Sequence, residues 1–434
     1  NISLSTFEVM KVEEWHDRSF FVELKPRSEF ANLFVDCPPK DQDDKESVCS
    51  VVRVGENCLS LEVSASLEEV DSPLAFRARI QDLSLSPQSV CAPTWTDNRR
   101  LFMCKVHAEA SNFPLVPRTF SRLAREMSAS SALEEFVNES QNCRLLLQCG
   151  ECNAKLIDSK GEIELGFVPS DDWMDTTTEG DFYCRDSCGA ACDPHRNAHG
   201  SGMEAMKRHE KWTPRPDYAL LAHTNIIVHE KSLVDGSVSV MEKQKEREKD
   251  VIRCSSCRFS LGRRVRNCAE SVQLHLAVTN LHTKHPTSYI ETRFGDKSTL
   301  FAMLILSQCE SQSSLKLVVR SLDRTPHLLV WLLDSYVVLT AGELVAASLS
   351  SSSLPSFRPF PALKMLYKVF DAKSAATDPR ANGEDASVGV LDVPLGCCLQ
   401  MMEDLLRSSL ALPPACRSVG QFYVGFLQLN QTIC

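Results

Sequence analysis

Two short cysteine pairs constrain the fold of this 434-residue chain more than any other feature. The first pair is Cys149 and Cys152, and the second is Cys254 and Cys257. A Cys-x-x-Cys turn directs two sulfur atoms at one centre, and two such turns supply the tetrahedral four-sulfur set that zinc prefers. Each pair follows a strand-like stretch and precedes a hairpin signal. The pattern predicts one structural zinc held by all four cysteines. The alternative is two unrelated thiol pairs.

Composition narrows the class of protein. The 19 cysteines are odd in number and include two metal-type pairs, which favours reduced thiols over a disulfide framework and places the protein in the cytoplasm and nucleus. The net charge of −10 argues against direct nucleic-acid binding, which needs a basic surface. The longest apolar runs, near residues 300–306 and 328–333, are too short to span a membrane.

The pattern of apolar residues predicts an α+β fold that is predominantly antiparallel β. Residues 1–140 read as a β-rich N-terminal domain, either a sandwich or a partly open barrel. Residues 141–275 form a cysteine-rich, zinc-stapled central region with a long exposed loop at 185–213. Residues 276–434 form a C-terminal α+β region, with apolar residues at helical spacing over 395–410.

A second group of metal-type side chains precedes or lies within that loop: Cys184, Cys188, Cys192, His195 and His199. Their spacing matches neither a radical-enzyme cluster nor a ferredoxin. Three interpretations stay open: an exposed loop with incidental thiols, a second metal site, or a thiol or imidazole that is offered to a partner.

A third feature is a possible nucleophile near the C-terminus. Cys397 and Cys398 stand at the start of the helix predicted over residues 395–410. A helix N-terminus lowers the pKa of a thiol and favours the thiolate. The alternative is that Cys398 is a core residue on the apolar face of this helix.

The order of these motifs resembles the HECT-like ubiquitin-protein ligase family. Its members are described as binding the mitotic ubiquitin-conjugating enzyme, and a yeast relative is named for its importance in cleavage and polyadenylation. The similar segments are residues 149–152, 168–173, 182–184, 218–228, 251–262, 328–335, 362–367, 398–400 and 422–427. Within them, Tyr183 replaces an aromatic Trp, and Cys184-Arg185-Asp186 replaces a Cys-Cys-His sequence. The resemblance covers about residues 143–434.

The resemblance implies ubiquitin transfer as the first of two functions. A HECT-type ligase needs a cysteine that accepts ubiquitin as a thioester from a conjugating enzyme and passes it to a substrate lysine. That cysteine lies near the C-terminus in HECT domains, which makes Cys398 the catalytic candidate. The expected partner is a ubiquitin-conjugating enzyme, and the expected outcome is substrate degradation.

The second implied function is binding without catalysis. The resemblance suggests an inhibitor or chaperone of the metallo-β-lactamase-type endonuclease that cuts the 3′ ends of pre-mRNA. A thiolate on an exposed loop could cap the zinc ions of that nuclease. In this interpretation Trp173 and Tyr183 anchor the loop, and Cys184 reaches the metal. Cys188, Cys192 and His195 stay alternatives for that contact.

Overall fold

The computed structural model describes most of the chain. The described residues are 14–37, 49–64, 74–96, 100–110, 118–159, 163–168, 170–171, 212–240, 251–265, 268–346, 354–381 and 384–429. Nearly all of the predicted loop 185–213 lies outside them. No helix within the described residues is both long enough and apolar enough to cross a bilayer.

The described residues form mainly β-strands. The first strands are β1 Ser19–Lys25, β2 Phe30–Asp36, β3 Cys49–Val54, β4 Cys58–Ser64, β5 Leu74–Ile80, β6 Leu83–Leu85, β7 Cys91–Thr96, β8 Leu101–Ala110 and β9 Leu146–Cys149. The next are β10 Lys155–Asp158, β11 Glu164–Phe167, β12 Tyr218–Leu221, β13 Asn225–His229, β14 Val238–Val240, β15 Val251–Cys254, β16 Ser260–Val265, β17 Cys268–His275 and β18 Thr279–His282. The last are β19 Lys316–Ser321, β20 Pro326–Glu343, β21 Val345–Ala346, β22 Ser356–Phe357, β23 Phe360–Val369, β24 Gly389–Val393, β25 Ser418–Val419 and β26 Phe422–Gln428.

Helices are fewer than strands. They are α1 Phe120–Met127, α2 Ser130–Glu139, α3 Tyr289–Phe294, α4 Lys297–Ser311, α5 Ala372–Thr377 and α6 Leu395–Leu410. The observed α6 has the same bounds as the predicted helix. Most strand pairs are antiparallel, so the predicted fold class is confirmed.

The chain divides into two compact units that interleave along the sequence. The first unit comprises Asn1–Leu123, Val330–Val369 and Met402–Cys434, and the second comprises Ala124–Leu329 and Phe370–Met401. The three consecutive domains drawn from the sequence stay a prediction, because the compactness of a unit does not measure independent folding.

The first unit contains a large sheet and a smaller one. In the large sheet the strand order is β25-β26-β23-β20-β1-β2-β8-β6, and β7 also pairs with β8. Strand β1 is central and buries side chains on both faces, as alternating orientation requires. Phe21 on one face packs against Phe426, with ring centroids 5.8 Å apart. Phe20 on the other face meets Phe357 of the smaller sheet edge-on at 5.2 Å.

Strand β20 differs from the prediction. The sequence predicts two strands, 327–333 and 336–339, with a turn at Asp334 and Ser335. The structure shows one continuous strand, Pro326–Glu343. Asp334 remains on the surface of this strand and forms an ion pair with Lys25 at 3.4 Å. The polar residues Asp334 and Ser335 therefore occupy half-buried positions of one strand and do not form a turn.

The sequence also predicts a single strand over residues 218–228, whereas the structure shows two strands in this region. Strands β12 and β13 form a hairpin that turns between Leu221 and Asn225. The Asp171 carboxylate accepts hydrogen bonds from the Thr224 amide at 2.9 Å and from the Asn225 side chain at 3.2 Å. These bonds satisfy polar groups of a turn that is otherwise buried.

The second unit contains a seven-stranded sheet in the order β11-β12-β13-β17-β16-β15-β14 and a three-stranded sheet in the order β10-β9-β18. Only β11 and β12 pair in parallel within these two sheets. The two Cys-x-x-Cys turns connect β9 to β10 and β15 to β16. The two hairpins that carry the cysteines thus belong to different sheets of the same unit.

His275 makes the stability of the second unit depend on pH. Burial, with a smaller effect from the Arg263 guanidinium, lowers the pKa of His275 to about 3. Its Nδ1 accepts a hydrogen bond from the Ala277 amide at 3.2 Å, which requires the neutral ring. The unfolded chain binds this proton below about pH 6.5, so stability is present above that pH and declines as the pH falls toward 3.

We therefore expect His275→Asn to weaken the pH dependence of unfolding by up to about 1.4 kcal/mol per pH unit between about pH 6 and pH 4. Asparagine can still accept the Ala277 hydrogen bond. Urea unfolding of both proteins across this range measures the difference. Parallel pH profiles in the two proteins would contradict the assignment.

Candidate metal centre

The four cysteines of the two turns meet at one centre. Their sulfur atoms all lie within 4.8 Å of one another. Cys149 and Cys257 have their sulfurs 3.7 Å apart, and Cys152 and Cys254 have theirs 3.6 Å apart. The prediction that the two pairs share one centre is confirmed.

The spacing of the sulfur atoms fits a tetrahedral metal ion. A zinc–sulfur bond of about 2.3 Å gives a tetrahedral edge of about 3.8 Å, close to both of these distances. A disulfide would need about 2.05 Å, so none of these sulfurs is paired with another. Buried Cys149 and Cys254 lie on the inner side of the cluster, while Cys152 is exposed.

The first turn is held by backbone hydrogen bonds. The Cys149 amide donates to the Ala154 carbonyl, and the Asn153 amide donates to the Cys149 carbonyl, both at 2.9 Å. Asn153 has a φ of 58°, a left-handed conformation that asparagine tolerates well. The Gly150 amide donates to the Val278 carbonyl at 2.9 Å. Val278 directly precedes β18, so this bond connects the turn to the start of that strand.

The second turn repeats this arrangement position by position. The Cys254 amide donates to the Phe259 carbonyl, and the Arg258 amide donates to the Cys254 carbonyl, both at 2.9 Å. Arg258 has a φ of 64°. The Ser255 amide donates to the Ser237 carbonyl at 2.9 Å. The two turns therefore present their sulfurs with the same local geometry.

A third strand supports each hairpin. Thr279 of β18 pairs opposite Cys149, and Val238 of β14 pairs opposite Cys254. Sequence reasoning missed these supporting strands because no local signal links them to the cysteines. Their pairing is set by register across the sheet, so only the fold reveals it.

The thiols have unequal acidity. Burial raises the pKa of Cys149 to about 12 and also raises the pKa of Cys257. Burial acts in the same direction at Cys254, but amide hydrogen bonds from Cys257 and Ser256 and the Cys152 thiol outweigh it and lower the pKa of Cys254 to about 7. A divalent cation would be needed to hold all four groups as thiolates.

Cys398 lies away from any exposed surface. It stands in the first turn of α6 and is fully buried. Burial raises the pKa of its thiol to about 12, and the carboxylates of Asp392 and Asp323 act in the same direction. The expectation that the helix N-terminus lowers this pKa is wrong, because burial outweighs the helix dipole. Its role as the catalytic residue stays a prediction.

The residues proposed for partner binding lie outside the described part of the chain. This holds for Trp173, Tyr183 and Cys184, and for the alternatives Cys188, Cys192 and His195. Their roles stay predictions.

Comparison with known proteins gives the family. The family model described as HECT-like Ubiquitin-conjugating enzyme (E2)-binding matches residues 23–424. This match extends the resemblance, which began near residue 143, into the N-terminal strands.

Three mammalian relatives are named as E3 ubiquitin-protein ligases. The Bos taurus protein is 22% identical over 326 residues, which cover 70% of this chain and 78% of the relative. The Mus musculus protein is 22% identical over 307 residues, covering 67% and 73%, and the Homo sapiens protein is 23% identical over 192 residues, covering 41% and 46%. No solved structure matches the chain. Because the family model covers most of the sequence, the chain belongs to the HECT-like ubiquitin-conjugating enzyme (E2)-binding family.

Proposed function

We propose that the chain is a ubiquitin-protein ligase that binds a ubiquitin-conjugating enzyme and directs ubiquitin to a substrate for degradation. The family match over residues 23–424 carries this proposal. The ligase name shared by the three relatives supports it. The reduced thiols that the metal centre uses favour the cytoplasm and nucleus as its location.

Zinc is the proposed occupant of the four-cysteine centre. Four thiolates satisfy its tetrahedral coordination and leave no open position for water or substrate. The ion would therefore stabilise the fold around two hairpins and would take no part in ubiquitin chemistry. Its contribution would be to hold Cys149, Cys152, Cys254 and Cys257 as thiolates.

The burial of Cys398 constrains the route by which ubiquitin is transferred. A covalent route needs a thiolate that can attack the thioester of the charged conjugating enzyme. Cys398 is fully buried, and burial holds its pKa near 12. We infer that ubiquitin reaches the substrate lysine without a thioester at Cys398, with the chain orienting the bound conjugating enzyme and the substrate.

A reconstituted reaction with activating enzyme, conjugating enzyme and ubiquitin tests both steps. We expect the chain to accelerate discharge of the charged conjugating enzyme to lysine, with equal rates in wild type and Cys398→Ser. Cys309→Ser is a matched control, since Cys309 is also a buried helical cysteine.

A reducible ubiquitin adduct on wild type that becomes a stable ester on Cys398→Ser would establish the covalent route instead. No acceleration with any member of a panel of conjugating enzymes would overturn the ligase proposal. The nuclease-capping alternative predicts a stoichiometric complex with the 3′-end endonuclease that Cys184→Ala weakens.

A further inference from the structure

An aromatic side chain of the second metal turn contacts the start of α6. Phe259 follows Cys257 by two residues, and its carbonyl accepts the Cys254 amide hydrogen bond at 2.9 Å. Its ring lies against Gly396, so closely that a Cβ at that position would overlap the ring atoms. Any side chain at Gly396 would therefore displace either Phe259 or the first helical turn.

The helical turn that Phe259 contacts at Gly396 contains two adjacent cysteines. Cys397 and Cys398 directly follow Gly396, and both are fully buried. Their amides donate to the Pro394 carbonyl at 2.9 and 3.2 Å, which closes the turn. Phe259 thus connects the backbone of a metal-ligand hairpin to the segment that holds both thiols.

We propose that metal binding at the four-cysteine centre and protection of Cys397 and Cys398 are coupled through the contact of Phe259 with Gly396. With the metal bound, the turn at Cys254 and Cys257 is fixed and holds the ring on the helix. Loss of the metal frees the turn, withdraws the ring and opens the first turn of α6 to solvent.

The coupling has a simple physical basis. Four metal–sulfur bonds cross-link two hairpins, whereas a few backbone hydrogen bonds alone leave a short turn free to open locally. The contact partner is Gly396, which has no side chain that could hold the Phe259 ring once the backbone of the second metal turn moves. This inference concerns access to the two thiols and does not depend on whether Cys398 carries ubiquitin.

Thiol labelling of the zinc-loaded chain tests the forward direction. We expect Phe259→Ala to increase alkylation of Cys397 and Cys398 by about tenfold. Without the contact of the ring with Gly396, the free energy needed to open the first turn of α6 is lower. Buried Cys309 of α4 is the internal control and should keep its wild-type labelling rate. Removing zinc from wild type with a chelator should reproduce the Phe259→Ala pattern.

The reverse direction follows from thermodynamic linkage, because a coupling between two sites acts equally on both. We expect Gly396→Ala to lower the affinity of the centre for zinc by about tenfold in equilibrium competition with a chelator, although Gly396 is not a ligand. Leu399→Ala is the matched control, since Leu399 is exposed on the same helix.

Unchanged zinc affinity in Gly396→Ala, together with unchanged labelling of Cys398 in zinc-loaded Phe259→Ala, would overturn the proposal. If Cys309 becomes reactive together with Cys398, Phe259→Ala has lost its general fold. The zinc affinity of Gly396→Ala relative to that of Leu399→Ala then decides between coupling and no coupling.

Discussion

Replacing Cys254 with serine is expected to abolish zinc binding at the proposed four-cysteine centre and to lower the free energy of unfolding by about 3–4 kcal/mol. A structural zinc contributes about 10–16 kcal/mol in small folds that are unfolded without the metal, and this larger chain is expected to lose only part of that sum because its packed sheets remain when the ion is gone. Cys254 is the thiol whose pKa is lowered to about 7, and it lies on the inner side of the cluster. Serine keeps the size of the side chain and removes the thiolate.

Elemental analysis and urea unfolding measure the two effects on the same samples. Cys143→Ser is the matched control, because Cys143 lies near the first turn but its thiol contacts the Gln141 carbonyl at 3.3 Å instead of the cluster. The control should keep one zinc per chain and wild-type stability. Full zinc content in Cys254→Ser would show that the four thiols do not act as one site.

The four cysteines of the candidate metal centre could be identified from sequence because each Cys-x-x-Cys pair is a local signal. Two residues between cysteines fix the turn, and the flanking residues supply the hairpins in which Cys149 and Cys254 lie. Helix α6 could be predicted for the same reason, since apolar spacing over one segment defines its buried face. The meeting of the two turns could only be hypothesised, because about a hundred residues separate them.

The errors share one physical cause. The pKa of the Cys398 thiol depends on the local helix dipole and on burial, and only tertiary packing produces the burial. Burial is the larger of the two effects and raises the pKa. The polar pair Asp334 and Ser335 predicts a turn, yet Asp334 lies within a long strand and pairs with Lys25. In both cases the effect of distant neighbours outweighed the local signal.

The second large effect is expected at a buried ion pair in the first unit. The Lys364 Nζ atom lies 2.8 Å from both carboxylate oxygens of Glu23. The side chains are only 19% and 5% exposed. They belong to β23 and β1, which are separated by β20 in the sheet, so the pair spans an intervening strand. The Lys364 ammonium also lies 5.9 Å from the centre of the Phe426 ring.

We expect Lys364→Met to destabilise the chain by about 3–5 kcal/mol, because it leaves the Glu23 carboxylate buried without a counter-charge. The double variant Glu23→Leu/Lys364→Met removes both charges from the same site and should recover most of that loss. Arg53→Met is the matched control, since the Arg53–Glu62 pair has a similar 3.0 Å distance but its arginine is 65% exposed. It should cost less than about 1 kcal/mol.

Chemical denaturation is measured for the wild type, the two single variants and the double variant. The comparison shows whether the burial of an ion pair or its distance determines the loss of stability. If Lys364→Met and Arg53→Met cost the same, the exposure of the pair does not determine its effect. If the double variant is no more stable than Lys364→Met, the loss comes from the packing of the lysine stem against Phe426. If the double variant recovers the free energy of unfolding that Lys364→Met loses, the loss comes from the unpaired Glu23 carboxylate. Burial of a single charge without a counter-charge then accounts for the destabilisation.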